Sequence, residues 1–202
     1  MKRRTLLLGG AAAAIAGTAL LRPSDRGGPH NNYFLALQDA LDRAGISGPT
    51  LVVDRALLAE NVRTLNGHVG DRFDYRIVAK SLPSLPLLQE VMTLSDSRRL
   101  MLFHQPFINQ VAREVPDADI LLGKPMPVQA ARNFYREFSG GAFEPARQLT
   151  WLLDSPARVS QYRELAEQSG QLLRICIELD VGLHRGGVAD DASLLEMLGM
   201  CR

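Results

Sequence analysis

Six short apolar runs recur along this chain and constrain its fold more than any other feature. They are TLVVD ending at Asp54, YRIVAK at Lys80, LMLF at Phe103, DILLGK at Lys124, LTWLLD at Asp154 and LLRICIELD at Asp180. Their ends recur every ~20–30 residues, the spacing of successive βα units. Amphipathic stretches lie between them: Leu58, Val62, Leu65 and Val69 share one helical face, as do Val159, Tyr162, Leu165 and Ala166. Asp54 and Ser155, the latter followed by Pro156, are placed to cap the helices that follow them. The runs are apolar nearly throughout, as in parallel strands covered on both faces. A doubly wound sheet and a (β/α)8 barrel both satisfy this pattern. No Gly-x-Gly-x-x-Gly follows the first run and no phosphate-binding P-loop occurs, which favours the barrel.

The expected fold is therefore α/β, a partial (β/α)8 TIM barrel with about six βα units. A full barrel needs eight strands and typically ~250 residues. This sequence has 202 and ends in DASLLEMLGMCR, a helix-like stretch. An open barrel exposes two strand edges and much of its interior, so a longer protein or another chain is expected to complete it.

The N-terminus is a separate matter. MKRRTLLLGGAAAAIAGTALL sets Arg3 and Arg4 before an apolar run with no acidic residue until Asp25. That is the pattern of an export signal, and the paired arginines resemble a twin-arginine signal. Residues 1–22 are read as this signal or a membrane anchor, with the export signal favoured. Residues 23–32 are read as a linker and 33–202 as the barrel domain. The expected location is thus exported, periplasmic or membrane-tethered. A formal net charge of +1 with no basic stripe gives no reason to expect nucleic acid. Two cysteines make no disulfide framework, and Cys176, inside an apolar run, is expected as a small buried hydrophobe. Trp151 is expected in the core, and His30, His68 and His104 as ordinary polar residues.

The positive charge is written almost entirely as arginine. Of 23 Lys and Arg, only Lys2, Lys80 and Lys124 are lysines. An amine can shed its proton and attack a carbonyl, whereas a guanidinium cannot. Lys80, at the end of an apolar strand where barrel active sites lie, is the leading chemical candidate. Lys124 has a similar position and is read as structural. The second notable stretch is ELDVGLHRGGV, Glu178 to Val188. It delivers Asp180, His184 and Arg185 among glycines that permit sharp turns and close approach. The planar fork of Arg185 suits carboxylate, phosphate or phenolate oxygens.

A strand running into Lys80, followed later by Asp180, Gly182, Arg185 and Gly187 in an Asp-x-Gly-x-x-Arg-x-Gly pattern, resembles the alanine-racemase type (fold type III) of pyridoxal-phosphate enzymes. PTLVVDRALLAENVRTL resembles that family's first strand and helix, and DVGLHRGGV is closer to its D-threonine aldolase and D-serine dehydratase branch. The match covers about Pro49 to Val188. The resemblance implies a pyridoxal 5'-phosphate cofactor, with Lys80 forming the internal aldimine and later serving as a proton-transfer base. It implies cofactor binding by Lys80, Arg185, Asp180 and His184, with Arg185 near the phenolic oxygen and the substrate carboxylate. The implied function is an amino acid lyase, aldolase or racemase acting on D-amino or hydroxy-amino acids, and a homodimer in full-length form. No metal ligand is assigned, and a divalent metal is expected only from a C-terminal part outside this sequence. VAKSLPS lacks the histidines that D-threonine aldolases carry around the lysine. The phosphate cradle and a C-terminal β-domain are likewise expected outside this stretch. The alternatives are a non-catalytic pyridoxal-phosphate-binding barrel, an inactive fragment of a longer enzyme, and a sugar- or phosphate-processing barrel using Lys80 for a Schiff base.

Overall fold

The computed structural model describes residues 27–201. The expected signal, residues 1–22, and the first part of the expected linker lie outside the described residues. The described residues divide into two compact units, one ending at Val52 and one beginning at Val53. In the first, helix α1 (Asn32–Arg43) starts where Asn31 Oδ1 accepts the Phe34 amide at 3.1 Å.

The second unit begins with α2 (Arg55–Val69), which Asp54 caps by accepting the amides of Ala56 and Leu57, as expected. Five βα units follow. They are β1 (Ile77–Val78) with α3 (Leu85–Ser95), β2 (Arg99–Leu102) with α4 (Gln105–Glu114), and β3 (Asp119–Leu122) with α5 (Val128–Glu137). After the short α6 (Pro145–Gln148) come β4 (Leu149–Leu153) with α7 (Pro156–Ser169), then β5 (Arg174–Ile177) with α8 (Asp191–Met200). Ser155 caps α7 by accepting the Arg158 amide, with Pro156 at the first helical position.

All pairings are parallel and the strand order is β1-β2-β3-β4-β5. Such a sheet needs helical crossovers that return the chain to the same end, and each amphipathic stretch supplies one. The sheet is part of a barrel and is not closed, so β1 and β5 are both edges.

Register divides the sheet into two unlike faces. Ile77, Leu100, Ile120 and Leu149 are in register across one face, which also carries Leu102, Leu122, Trp151 and Leu153. Every one of these eight is at most 1% exposed. Burial of each such side chain contributes about 1.5–3 kcal/mol. Helices cover this side: Val62, Leu88, Ile108, Phe134 and Tyr162 join the same cluster. Trp151 sits at its centre as expected, and its indole N–H donates to the Tyr135 hydroxyl at 3.2 Å. Burial pushes the Tyr135 phenol up to about 12, partly opposed by that hydrogen bond. The phenol therefore stays protonated and structural.

The other face carries Val78, Met101, Leu121, Leu152 and Cys176, and it is only partly covered. Val78 is 40% exposed. This corrects two expectations. The strands are apolar throughout, yet only one face is fully buried, because the concave side of an open barrel has no opposing strands to fill it. For the same reason Cys176, on edge strand β5, is exposed rather than buried.

Two strand boundaries also differ from expectation. Residues 51–54 belong to no ladder, so among the described residues the sheet has five strands rather than six. Leu51, Val52 and Val53 are 98%, 47% and 48% exposed. An apolar run becomes a strand only where a neighbour accepts its hydrogen bonds. YRIVAK, in turn, pairs only at Ile77 and Val78, then tightens into a 3-10 turn over Ala79–Ser81.

Candidate active site at the C-terminal rim

That turn places the leading candidate. Ala79 is buried and anchors the turn, while Lys80, next in sequence, projects from it and is exposed. The turn thus aims an amine outward from a fixed backbone. The Lys80 ammonium lies 5.3 Å from the centroid of the Phe103 ring, which follows β2. Such a contact favours the cation at the ring face by about 0.5–1 kcal/mol at an exposed position. Lys80 and Phe103 line one cleft of about 440 Å³, together with His104, Pro106, Phe107 and Gln110. His104 begins α4 without a side-chain cap bond.

Gly123, immediately after β3, explains how Phe103 fits. A Cβ at this position would overlap the Phe103 ring and approach Met101 Cγ. The absence of a side chain lets the ring lie against the end of β3. The next residue, Lys124, is exposed at the rim.

The second site element is the loop after β5. The Glu178 amide donates to Leu153 O at 2.8 Å, carrying the ladder one residue past β5. The chain then turns and returns: the Val188 amide donates to Glu178 O at 2.8 Å and the Asp180 amide to Val188 O at 2.9 Å. Gly187 is at φ +99°, and a Cβ there would lie 2.9 Å from Glu178 O, Leu179 C and Asp180 N. Only glycine permits so close an approach of two backbone segments.

Asp180 holds the loop's interior. Its Oδ1 accepts the His184 amide at 3.0 Å, and its Oδ2 lies 2.8 Å from His184 Nδ1. His184 has φ +48°, a left-handed conformation uncommon for a non-glycine residue, and the two bonds to Asp180 pin it there. The His184 side-chain bond, helped by the amides of Gly182 and His184, holds the Asp180 carboxyl below the usual aspartate range. Asp180 and His184 thus brace the turn that presents Arg185.

Lys80 and Arg185 line separate clefts. Arg185 shares a cleft of about 400 Å³ with Glu178, Asp180 and Lys124. Lys124, read from sequence as structural, lies with the motif residues. The scarcity of lysine pointed at it, but no motif spans the 61-residue separation between Lys124 and Arg185. Lys80, Lys124 and Arg185 have no ion-pair partner among the described residues.

Residues 53–202 match a family described as "Alanine racemase, N-terminal domain". No match was found among curated proteins. Solved structures share the fold at low identity. A variant of D-threo-3-hydroxyaspartate dehydratase is 17% identical with a TM-score of 0.67, covering 82% of this chain and 43% of that one. D-threonine aldolase from Filomicrobium marinum is 15% identical with a TM-score of 0.62, over 78% and 41%. Alanine racemase from Bacillus anthracis is 16% identical with a TM-score of 0.59, over 76% and 39%. The chain spans less than half the length of these structures.

Proposed function

Because the chain belongs to the alanine racemase N-terminal domain family, we propose that its C-terminal rim holds pyridoxal phosphate on Lys80 for chemistry on amino acids. In full-length form the reaction is that of a lyase, aldolase or racemase on D-amino or hydroxy-amino acids. The observation that carries this reading is a lysine amine beside an aromatic ring, on a rim where two further cations have no ion-pair partner among the described residues.

The donor set fits a phosphorylated aromatic aldehyde. An amine reacts with the aldehyde, a ring face packs on the heteroaromatic, and cations meet its anionic oxygens. When bound, the cofactor supplies an electron sink for charge released at a substrate's α-carbon. Lys80 Nζ anchors it and, once displaced, can hold the proton taken from that carbon. Phe103 steadies Nζ and screens one side from water. Arg185 offers its fork to a carboxylate or phenolate, and the Asp180–His184 brace fixes where that fork sits. Ala79 and Gly123 hold the backbone from which the amine and ring project.

The experiment is to incubate the full chain with pyridoxal phosphate, reduce with borohydride and map the modified residue. An adduct on Lys80, lost in Lys80→Ala, is the expected result; an adduct elsewhere, or none, sinks the reading. A non-catalytic cofactor-binding barrel is the second reading, favoured by the exposure of Lys80. An adduct on Lys80 with D-threonine, D-serine and alanine all untouched selects it. Export through residues 1–22 completes the proposal, and a periplasmic reporter fused after them, compared with Arg3→Lys plus Arg4→Lys, tests it.

A further inference from the structure

Lys124 stands outside every motif, yet its surroundings resemble those of a binding group more than a structural one. The Gly123 amide donates to Leu102 O at 2.9 Å, so the ladder between β2 and β3 continues to the residue before Lys124. Its backbone is therefore fixed at the rim while its side chain is exposed. The Phe103 ring packs on Gly123 and also meets the Lys80 ammonium, so one ring neighbours both positions. From the opposite direction, the loop after β5 lines one cleft with Lys124, and Arg185 lies on its wall. Its volume of about 400 Å³ lies in the range of small-molecule sites, roughly 300–1,000 Å³.

Charge accounting separates Lys124 from an ordinary surface lysine. Two carboxylates share the cleft. Asp180 already accepts from Gly182 and His184. Glu178 makes no ion pair with either cation. The cleft thus holds two cations and two carboxylates that do not pair with one another: Asp180 is turned onto the Gly182 and His184 amides and the His184 ring, and Glu178 is the carboxylate left facing the cations. An amino acid has one α-carboxylate, for which the planar fork of Arg185 is the better match. A lysine is a compact point charge that takes a phosphate or a second carboxylate equally well.

Resting on the reading above, we infer that Lys124 is a second anion-binding group of this site, receiving an anionic oxygen group beside the one Arg185 holds. That group is either the cofactor's phosphate or the second carboxylate of a dicarboxylic amino acid. Glu178 opposes it and sets its strength.

The test compares the full chain with Lys124→Ala, Lys124→Arg and Glu178→Gln, all at exposed or half-buried positions, after matching their Tm values. Adduct formation is followed by absorbance with pyridoxal phosphate and with pyridoxal. The loaded protein is then titrated with aspartate and with alanine. A roughly tenfold loss of affinity in Lys124→Ala for pyridoxal phosphate but not pyridoxal assigns the phosphate. The same loss for aspartate but not alanine assigns a second carboxylate. In either case Lys124→Arg restores binding and Glu178→Gln tightens it. Equal affinities of wild type and Lys124→Ala for all four compounds overturn the inference. Failure of the Lys80 reading is distinguishable, because then wild type itself forms no adduct. Calorimetry with inorganic phosphate and aspartate then decides on Lys124 alone, and equal binding by wild type and Lys124→Ala rejects it.

Discussion

The two ends of the sheet carry similar residues and use them oppositely. At the N-terminal end of the strands, arginines and aspartates neutralise one another. Arg76 donates to Asp119 Oδ1 at 2.6 Å and also to the carbonyls of Leu100 and Asp119. Arg174, on β5, reaches Asp119 Oδ2 at 3.3 Å. Asp119 at the start of β3 therefore ties both edge regions to the centre. Arg99 pairs with Asp74, and Arg98 with Asp117 at 3.0 Å. At the C-terminal end, Lys80, Lys124 and Arg185 have no such partners among the described residues. Charge at one rim is used for holding strands together; at the other, where Asp154 pairs with Arg158 and Asp180 meets His184, these three cations are left available to a ligand. In barrels the C-terminal rim is where active sites lie, and here the division is visible in the ion pairs themselves.

Substitutions can break this contrast in order of effect. Asp119→Ala removes the acceptor of two arginines and costs about 2–3 kcal/mol, roughly 4–12 °C in Tm, with adduct formation on Lys80 unchanged. Thermal melts and borohydride trapping together check it; loss of the adduct without loss of Tm would contradict the division. Gly187→Ala imposes a side chain where two backbone segments meet at φ +99° and costs about 1–3 kcal/mol. Unlike the first change it also weakens ligand binding at the Arg185 cleft, measurable by titration.

Acid sharpens the comparison further. The Asp180 carboxyl is held below its ordinary value, chiefly by the His184 side chain. A depressed folded value means the brace is complete above the ordinary aspartate range, ~3.9, and is lost as pH falls through the folded value. Hydrogen exchange at amides 182–187 should accelerate there, and Asp180→Asn should abolish that pH dependence. The smallest effect belongs to Arg98→Gln: both members of its pair with Asp117 are more than half exposed, so stability changes by less than ~0.5 kcal/mol.

Much of the fold was legible because hydrophobic periodicity reports burial directly. Five of the six apolar runs are strands, and both helical faces read from sequence turn inward at Val62, Val159, Tyr162 and Leu165. The caps at Asp54 and Ser155 were legible for a local reason, since a capping side chain needs only the amides two or three residues ahead. TLVVD failed because its composition says nothing about whether a neighbouring strand is there to pair. Cys176 failed similarly, since its surroundings depend on what covers the concave face. In the site, Asp180, His184, Arg185 and Gly187 are close in sequence and could be read together. Phe103 and Lys124 could not, because the contacts that give them meaning cross from strand to strand.

The sequence by itself determined the parallel βα order, the helix starts, the scarcity of lysine and the glycine-bearing motif after β5. All are properties of residues within a few positions of one another. Only the tertiary structure decided which face of the sheet is buried, which rim has its charges neutralised, and that Lys124 shares a cleft with Arg185. Those depend on register and loop closure, where the packing of distant segments, rather than local propensity, sets each side chain's surroundings.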